Sequence, residues 1–292
     1  CIIATVLGLF VGILRLSKNW IVAKLMSAYI EGFRNVPILL WIVMVFALLT
    51  EFTPAPKAFK GVDPEATMMF FESVAVTNRG TYFPAPVFGE GSSFIFLCFF
   101  LSIFIAVYFI RYAAQQKKAT GKRLPTVWIS MAIIVLPTFV LFFILGKPIS
   151  LEYPYLKGFN FKEGLHLRNS FIALTLALAF YTSAFIAEIV RAGIMAVSKG
   201  QTEAAASLGL RPNKIMNLII LPQALRIIVP PLISNYLNLT KNSSLAIAVG
   251  YMDVRGTLGG ITLNQTGREL ESMLLLMGFY LCVSLLISSF IN

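Results

Sequence analysis

Ionisable side chains inside long apolar stretches are the first candidates for chemistry in this sequence. Lys241 is the only charged residue between positions 227 and 252, and three polar residues follow it directly: Asn242, Ser243 and Ser244. A charged group inside an apolar membrane span is costly and marks a functional site by default. At about 1.5 Å per residue, Lys241 would lie roughly 22 Å along a helix from Arg226, past the centre of a membrane. The four residues therefore predict a polar spot in a span, where the ammonium group could bind a carboxylate.

Two other interpretations of Lys241 stay open at this point. The lysine could extend to the outer membrane interface, or it could pair with a neighbour such as Glu188. Glu188 itself lies three residues before Arg191, so the two side chains can meet on one helix face. This spacing favours a structural ion pair, and the alternative is a carboxylate that lines a polar path and contacts an ammonium group.

A polar stretch at residues 201–222, QTEAAASLGLRPNKIMNLIILP, separates two long apolar segments. It predicts a short helix that Thr202 caps, with Glu203 at the positive end of the helix dipole. Gly209 can take the left-handed conformation that ends a helix, and Pro212 suits the first turn of the next one. We therefore expect a compact helix-turn-helix.

The small side chains in this stretch favour close docking against another molecule. Three alanines follow Glu203 directly: Ala204, Ala205 and Ala206. Their high helix propensity alone is the simpler explanation. Because they also leave one helix face without bulk, that face could lie deep in the cleft of a partner protein.

Other residue types offer no catalytic or metal site. His166 is the only histidine and has no cysteine or carboxylate at ligand spacing, so we expect it at the surface. Three scattered cysteines predict neither a disulfide nor a metal framework: Cys1, Cys98 and Cys282. No phosphate-binding G-x-x-x-x-G-K-[ST] loop is present, so any ATP would be hydrolysed on another subunit.

The composition predicts an all-α polytopic membrane protein. Of the 292 residues, 58% are hydrophobic and 13% are charged, and the mean hydropathy is +0.81, which is too apolar for an ordinary soluble domain. The net charge of +11 does not indicate nucleic-acid binding, because the basic residues lie between apolar runs. Since the chain begins and stops inside apolar runs, we expect the native protein to extend beyond both ends.

Long apolar windows predict seven membrane helices, because a span needs about 20 apolar residues. Pro37 should bend the second of them. We expect a single transmembrane domain over residues 1–292, with outer loops at 51–93 and 147–168. The predicted spans cover residues 1–14, 20–50, 94–110, 125–146, 169–197, 227–252 and 272–292.

The distribution of basic residues predicts the orientation of these spans. The segments on the side of residues 201–222 carry 14 basic and 2 acidic residues, and the opposite loops carry 9 basic and 10 acidic residues. Because cytoplasmic loops are enriched in Lys and Arg, the helix-turn-helix should face the cytoplasm.

A longer pattern connects the polar stretch to a known family. It reads E-A-A, three residues, G, nine residues, I, one residue, L-P, and it is formed by Glu203, Ala204, Ala205, Gly209, Ile219, Leu221 and Pro222. With this pattern the chain resembles the membrane-spanning permease subunits of bacterial ABC importers. Four further segments are similar to the polar amino-acid uptake branch: EGFRNVPILL, YTSAFIAEIVRAGI, LPQALR and NLTKNSSLAIAVG. The likeness covers nearly the whole chain and extends to the enlarged permeases of general L-amino-acid transport systems.

The resemblance implies a function as well as a fold. Residues 199–222 would form a cytoplasmic coupling loop that docks on an ATP-binding subunit, and residues 94–146 would be an inserted helix pair. The implied docking residues are Glu203, Ala204, Ala205, Gly209, Leu221 and Pro222. The substrate path would involve Lys241, Asn242, Ser243, Ser244 and Glu188.

The resemblance also implies partners in the bacterial inner membrane. ATP and Mg²⁺ would bind partner ATPases, a second permease would complete a heterodimer, and a soluble amino-acid-binding protein would dock outside. Transport would follow alternating access. The alternatives are an ion-gradient-driven secondary transporter, which would need several intramembrane carboxylates, and a membrane scaffold without transport, which would need no coupling loop.

Overall fold

The computed structural model describes residues 1–60, 65–120 and 125–291. They form two compact units. The first comprises residues 1–53 and 77–80 with the chain from residue 167 on, and the second comprises residues 54–76 and 81–166. Parts of three predicted segments lie outside the described residues: 61–64 of the first outer loop, 121–124 of the inserted helix pair at 94–146, and Asn292 of the last span. The single transmembrane domain over residues 1–292 stays a prediction.

Three apolar helices open the first unit. They are α1 (Ile2–Arg15), α2 (Trp20–Asn35) and α3 (Ile38–Glu51). Helices α2 and α3 meet at an angle of 105°, because Pro37 has extended backbone angles and cannot continue a helix. The predicted bend at Pro37 is confirmed.

The second unit contains short strands around a helical hairpin. A 3₁₀ turn (Pro56–Phe59) and a single turn α4 (Met69–Glu72) come first. The elements that follow are β1 (Ala75–Thr77), β2 (Gly80–Phe83), β3 (Ala85–Phe88), α5 (Ser92–Thr120), α6 (Thr126–Ile144), β4 (Ile149–Glu152), β5 (Tyr155–Lys157), β6 (Asn160–Lys162) and β7 (Leu165–Leu167).

These strands correct the all-α prediction. They form one sheet in the order β1-β2-β7 and two antiparallel pairs, β3 with β4 and β5 with β6. The physical reason is a small core of their own, in which the buried Tyr82 and Phe161 rings lie 5.3 Å apart and Phe59 packs edge-on against Phe161. Aromatic residues favour strands because they pack well on a pleated surface. The protein is therefore mostly helical, and short strands form within both segments that were predicted as outer loops.

The first unit is built around α7 (Asn169–Met195), which packs against α1, α2, α3 and α10. Two glycines let α1 approach it closely. A Cβ atom at Gly8 would lie 2.7 Å from Ile186 Cβ, and one at Gly12 would lie 2.7 Å from the Ala187 carbonyl oxygen. Small residues at such positions let membrane helices pack backbone against backbone.

After α7 the described chain forms four short α-helices and two long ones. Helices α8 (Lys199–Ser207) and α9 (Pro212–Ile215) are followed by a π-helical turn (Met216–Ile220). The remaining elements are α10 (Leu221–Asn242), a 3₁₀ segment (Ser243–Val249), α11 (Val254–Gly256), a π-helical turn (Thr257–Thr262), α12 (Leu263–Thr266) and α13 (Glu269–Ile291).

Five helices in the described ranges are long and apolar enough to cross a membrane, and the bent pair α2–α3 makes a sixth if it counts as one span. The first predicted span, residues 1–14, is not among them, and because we expect the native helix to extend beyond residue 1 it stays a prediction. Helix α1 has 14 residues, and at about 1.5 Å per residue it is shorter than the roughly 30 Å core of a bilayer. The polytopic architecture is confirmed.

Candidate functional site

The turn between α8 and α9 ends the first helix of the predicted helix-turn-helix. Gly209 has φ of +75°, and its N–H donates to the Ala206 carbonyl at 2.9 Å, while Leu210 N–H donates to the Ala205 carbonyl at 3.2 Å. These two bonds satisfy carbonyls that the last helical turn leaves free. The predicted left-handed Gly209 is therefore confirmed.

The start of α8 differs from the prediction. The helix begins at Lys199, three residues before Thr202, and Ser198 is the residue that precedes it with an extended backbone. Thr202 therefore lies inside the helix, and the prediction that it caps the N-terminus is wrong. Arg211 and Pro212 restart the chain as predicted, since Pro212 is the first residue of α9 and its missing N–H costs nothing there.

The exposed and buried faces of α8 divide the alanines. Ala205 is buried, while Glu203, Ala204 and Ala206 are exposed. Leu208, just after the helix, is 81% exposed. The buried side of α8 packs against α9 and the π-helical turn. The exposed face of α8 thus carries a carboxylate and small side chains, and one exposed apolar side chain follows it.

The π-helical turn has a local cause in Pro222. Leu221 N–H donates to the Met216 carbonyl, five residues back, and Pro222 has no N–H to continue the usual ladder. A π-bulge is one of the few ways in which a helix accommodates such a break. Leu221 and Pro222 therefore lie at the start of α10, directly after the π-helical turn and inside the continuous helical span Pro212–Val249.

Two helices hold the short pair in place, α7 before it and α10 after it. Gly193 of α7 faces Ile228 and Ala224 of α10 so closely that an added Cβ would lie 2.3 Å from Ile228 Cγ1. Ala224 and Ile228 are buried. Because the Ile228 side chain packs directly on the backbone of α7 at this glycine, the two long helices are in close contact beside the short pair.

A polar cleft of about 270 Å³ lies between α7 and α10. Three of its lining residues are asparagines at positions i, i+3 and i+7 of α10, which place them on one face. Within the described part of the chain, the Asn238 and Asn242 amides bond to no protein group, whereas the Asn235 amide donates to the Pro231 carbonyl at 3.0 Å. The cleft is lined by Tyr181, Thr182, Phe185, Asn235, Asn238, Leu239 and Asn242.

Of the residues predicted to form a substrate path, Asn242 is the one that lines this cleft. Lys241 is exposed near the end of α10. The Ser243 and Ser244 hydroxyls donate to the carbonyls of Thr240 and Lys241, both at 2.7 Å. Asn235 and Asn238 were not predicted, although their spacing from Asn242 was visible in the sequence.

Glu188 has two arginine partners. Its Oε1 accepts from Arg191 Nη2 at 2.7 Å, and its Oε2 accepts from Nη1 of Arg15 on α1. The predicted pair with Arg191 is confirmed. The alternative pair between Lys241 and Glu188 is wrong, because within the described part of the chain the ion pairs of Glu188 are those with Arg15 and Arg191.

A cation from α2 lies beside the cleft. Arg34 Cζ is 5.3 Å from the centre of the Phe185 ring, a cation–π distance, and Phe185 lines the cleft. The last turn of α2, just before the bend at Pro37, therefore contacts the wall of the cleft.

The segment around β5 to β7 carries aromatic and charged groups. His166 is exposed, as predicted, and its ring stacks on Tyr82 with centroids 4.3 Å apart. A hydrogen bond with Glu163 raises the pKa of the Tyr155 phenol above its usual range. Within the described ranges, no group of three or more His, Cys, Asp or Glu side chains could hold a metal ion.

Known proteins similar to this chain have one function in common. A family model described as a binding-protein-dependent transport system inner membrane component matches residues 122–292. The glutamate/glutamine/aspartate/asparagine transport system permease protein BztB of Rhodobacter capsulatus is 53% identical, over 96% of this chain and 71% of that protein. The general L-amino acid transport system permease protein AapQ of Rhizobium johnstonii is 42% identical, over 99% of this chain and 70% of that protein.

A solved structure shares the fold. It is described as a crystal structure of an amino acid ABC transporter with histidines, and it matches with a TM-score of 0.53 and 20% identity over 99% of this chain and 83% of that one. The chain therefore belongs to the family of binding-protein-dependent ABC permeases, as a multi-pass inner-membrane subunit of an amino-acid transport system in which a partner ATPase uses the ATP.

Proposed function

We propose that this permease moves amino acids inward by alternating access, with α8 and α9 as the element that docks on the partner ATPase. The observation that carries this proposal is the exposed face of α8, where Glu203 and Ala204 are exposed on a short helix that ends at the left-handed Gly209. A rigid helix with small side chains can enter a cleft and transmit force, which a flexible loop cannot. The excess of basic residues on this side supports a cytoplasmic orientation.

The mechanism follows from how the docking element is attached. ATP binding closes the two ATPase subunits and displaces α8 and α9. The contact of Gly193 with Ile228 passes this displacement to α7 and α10 together. Because the polar cleft lies between these same two helices, their movement would change its access from one side of the membrane to the other.

We propose the cleft between α7 and α10 as part of the substrate path. Its volume of about 270 Å³ is near the lower end of ligand pockets, which suits a solute as small as an amino acid. The free amides of Asn238 and Asn242 provide donors and acceptors for a carboxylate or an amide. The name of BztB supports glutamate, glutamine, aspartate and asparagine as substrates, and the name of AapQ supports L-amino acids in general.

Lys241, Ser243 and Ser244 remain proposed path residues at the end of α10. The exposed ammonium group of Lys241 forms no ion pair with the described part of the chain, so it is available to attract a substrate carboxylate. For Glu188 we propose a positioning role between α7 and α1, because its two oxygens are bound by arginines of these helices.

Three kinds of partner complete the proposed assembly. A binding-protein-dependent ABC system needs an ATPase inside and a binding protein outside. We propose that the strands β1 to β7 supply part of the outer surface on which the binding protein docks. We also propose a second, related permease in a heterodimer, as the resemblance to enlarged amino-acid permeases implies.

Charge reversal on α8 tests the docking proposal. Glu203→Lys places a cation on the exposed face, and we expect ATPase retention and uptake of L-glutamine to fall about tenfold or more, because a like-charge or unpaired contact in an interface costs several kcal/mol. The measurement is ATPase co-purification, with uptake by liposomes that contain the full transporter. Glu31→Lys, at an exposed position of α2, is the matched control, and equal losses in both variants would contradict docking through α8.

A substitution in the cleft tests the substrate path. Asn238→Leu keeps the approximate size of the side chain but removes its donors and acceptors, so we expect the KM for L-glutamine uptake to rise about tenfold, since an unpaired polar contact costs roughly 1–3 kcal/mol. ATPase retention should not change. Ser234→Ala, at an exposed position of the same helix outside the cleft, should leave KM unchanged. An unaltered KM in Asn238→Leu would remove the cleft from the path.

A further inference from the structure

Four polar side chains connect three helices on the side of α7 that leads to the docking element. Glu188 of α7 binds Arg191 of the same helix and Arg15 at the end of α1. Arg15 also donates from Nε to the hydroxyl of Ser27 on α2 at 3.1 Å. We call Arg15, Ser27, Glu188 and Arg191 the Arg15–Glu188 cluster.

The charged side chains of this cluster are largely withdrawn from the surface. Those of Arg15, Glu188 and Arg191 are 18%, 24% and 29% exposed. Removing charges from water is costly, and such an ion pair often adds no net stability over apolar packing. What the cluster does provide is a fixed geometry, because the planar guanidinium of Arg15 binds two different helices through two separate N–H groups.

The position of the cluster connects it to the docking element. Glu188 lies seven residues before the end of α7 at Met195, which is about 10 Å along the helix. Helix α8 begins four residues later, at Lys199. Movement of α8 therefore reaches the level of Glu188 through less than two further helical turns.

The cluster adds a directional bond to close apolar packing. Gly8 and Gly12 bring the backbones of α1 and α7 into contact, but glycine contacts alone resist compression and do not resist sliding. The two bonds of Arg15 fix the register of α1 against α7 and tie α2 to the same point. Helix α2 also carries Arg34, which contacts the cleft wall at Phe185.

We propose that the Arg15–Glu188 cluster is a positioning device that makes α1 and α2 move with α7 when the docking element is displaced. This inference rests on the proposed function, in which α8 receives the motion of the ATPase. Without the cluster, the end of α7 moves while α1 and α2 stay behind, and ATP is hydrolysed without a matching movement of the cleft.

The experiment compares uptake with ATP hydrolysis in the complete transporter. The full-length permease is co-expressed with its second permease, ATPase and binding protein, and the complex is reconstituted in liposomes. Radiolabelled L-glutamine uptake and ATP hydrolysis are measured on the same preparation, and their ratio is the readout. The variants are Glu188→Gln, Arg15→Gln, Arg15→Lys and Ser27→Ala, with Lys18→Gln as the control, since Lys18 is exposed three residues after Arg15.

We expect the uptake per ATP to fall about tenfold in Glu188→Gln and Arg15→Gln while ATP hydrolysis stays within about twofold. Arg15→Lys should recover part of the ratio, because an ammonium group keeps the charge but lacks the planar fork. Ser27→Ala should lose less than Arg15→Gln, since it removes only the bond to α2. Lys18→Gln should match the unmodified protein.

Two results would overturn the proposal. One is an unchanged ratio in Glu188→Gln and Arg15→Gln. The other is a parallel loss of assembled complex, uptake and hydrolysis with a constant ratio, which is the result of a merely structural ion pair. If these two variants do not assemble, Arg15→Lys decides, because an unchanged ratio there also overturns the proposal.

A failure of the underlying function gives a different result. If α8 does not receive the motion of the ATPase, Glu203→Lys leaves the coupling of uptake to hydrolysis intact. If only the cluster proposal is wrong, Glu203→Lys still lowers ATPase retention and the cluster variants keep a normal ratio.

Discussion

Replacing Gly209 with valine is expected to lower ATP-dependent L-glutamine uptake by at least about tenfold. Gly209 has φ of +75°, a conformation that costs an ordinary residue roughly 1–2 kcal/mol and a β-branched one more. The valine variant should therefore lose the turn that aims α9 away from α8, together with the bonds from Gly209 and Leu210 that close the helix. A tenfold change corresponds to about 1.4 kcal/mol.

The control for this variant lies outside the docking element. Gly278 is in α13, has no positive φ, and has open space where a Cβ would be. Gly278→Val should therefore keep ATPase retention and uptake. Co-purification of the ATPase and uptake by reconstituted complexes measure both variants. Normal retention and uptake in Gly209→Val would show that the direction of this turn does not matter for docking.

Local signals explain why this turn was predictable and the helix start was not. A glycine after a run of helix formers marks the end of a helix, because only glycine enters the left-handed region at little cost. At the other end, both Ser198 and Thr202 have side chains suited to an N-cap. Ser198 took the extended conformation, and nothing in the short-range sequence distinguishes the two positions.

Long-range strand pairing is a second feature that the sequence did not predict. Thr81, Tyr82 and Phe83 lie in β2, and their residue types favour strands. The pairing of β2 with β7 joins segments that are more than 80 positions apart. Such pairing depends on a shared core, here with Tyr82 and Phe161, and a local pattern does not reveal which strands share one.

The candidate site was partly readable because helical spacing is regular. Glu188 and Arg191 were predicted as a pair from their i, i+3 spacing, but Arg15 lies 173 positions from Glu188 in the chain. In α10 the sequence prediction rested on the charge of Lys241. The face that carries Asn235, Asn238 and Asn242 follows from spacing alone, because successive helical residues are about 100° apart.

The contact between α7 and α10 gives the second large expected effect. A Cβ atom at Gly193 would lie 2.3 Å from Ile228 Cγ1, a side-chain atom, and 3.4 Å from the Ala224 carbonyl oxygen. Gly193→Ala should destabilise the protein by about 1–3 kcal/mol through overpacking. Ile228→Ala alone should cost about 2–5 kcal/mol, because Ile228 is buried and leaves a cavity.

The double variant separates this contact from general damage to the helices. In Gly193→Ala with Ile228→Ala the clashing atom is gone and the new methyl group fills part of the cavity, so the loss of stability should be at least about 1 kcal/mol smaller than the sum of the single losses. Thermal unfolding of the purified protein in detergent measures each variant.

A second glycine supplies the matched comparison for this rescue. A Cβ at Gly12 would lie 2.7 Å from the Ala187 carbonyl oxygen and 3.1 Å from Val190 Cβ. Val190→Ala removes neither atom, so the stability losses of Gly12→Ala and Val190→Ala should be additive in the double variant, without rescue. Gly278 of α13 has open space around a Cβ, and Gly278→Ala should leave the thermal stability unchanged. Rescue at Gly193 without rescue at Gly12 would show a difference between the two contacts. Gly193 of α7 contacts a side chain of α10, which a substitution can shorten. Gly12 of α1 contacts the backbone of α7, which a substitution cannot remove. Equal additivity in both pairs would contradict the close approach of α7 and α10, and with it the route by which the docking element moves the cleft.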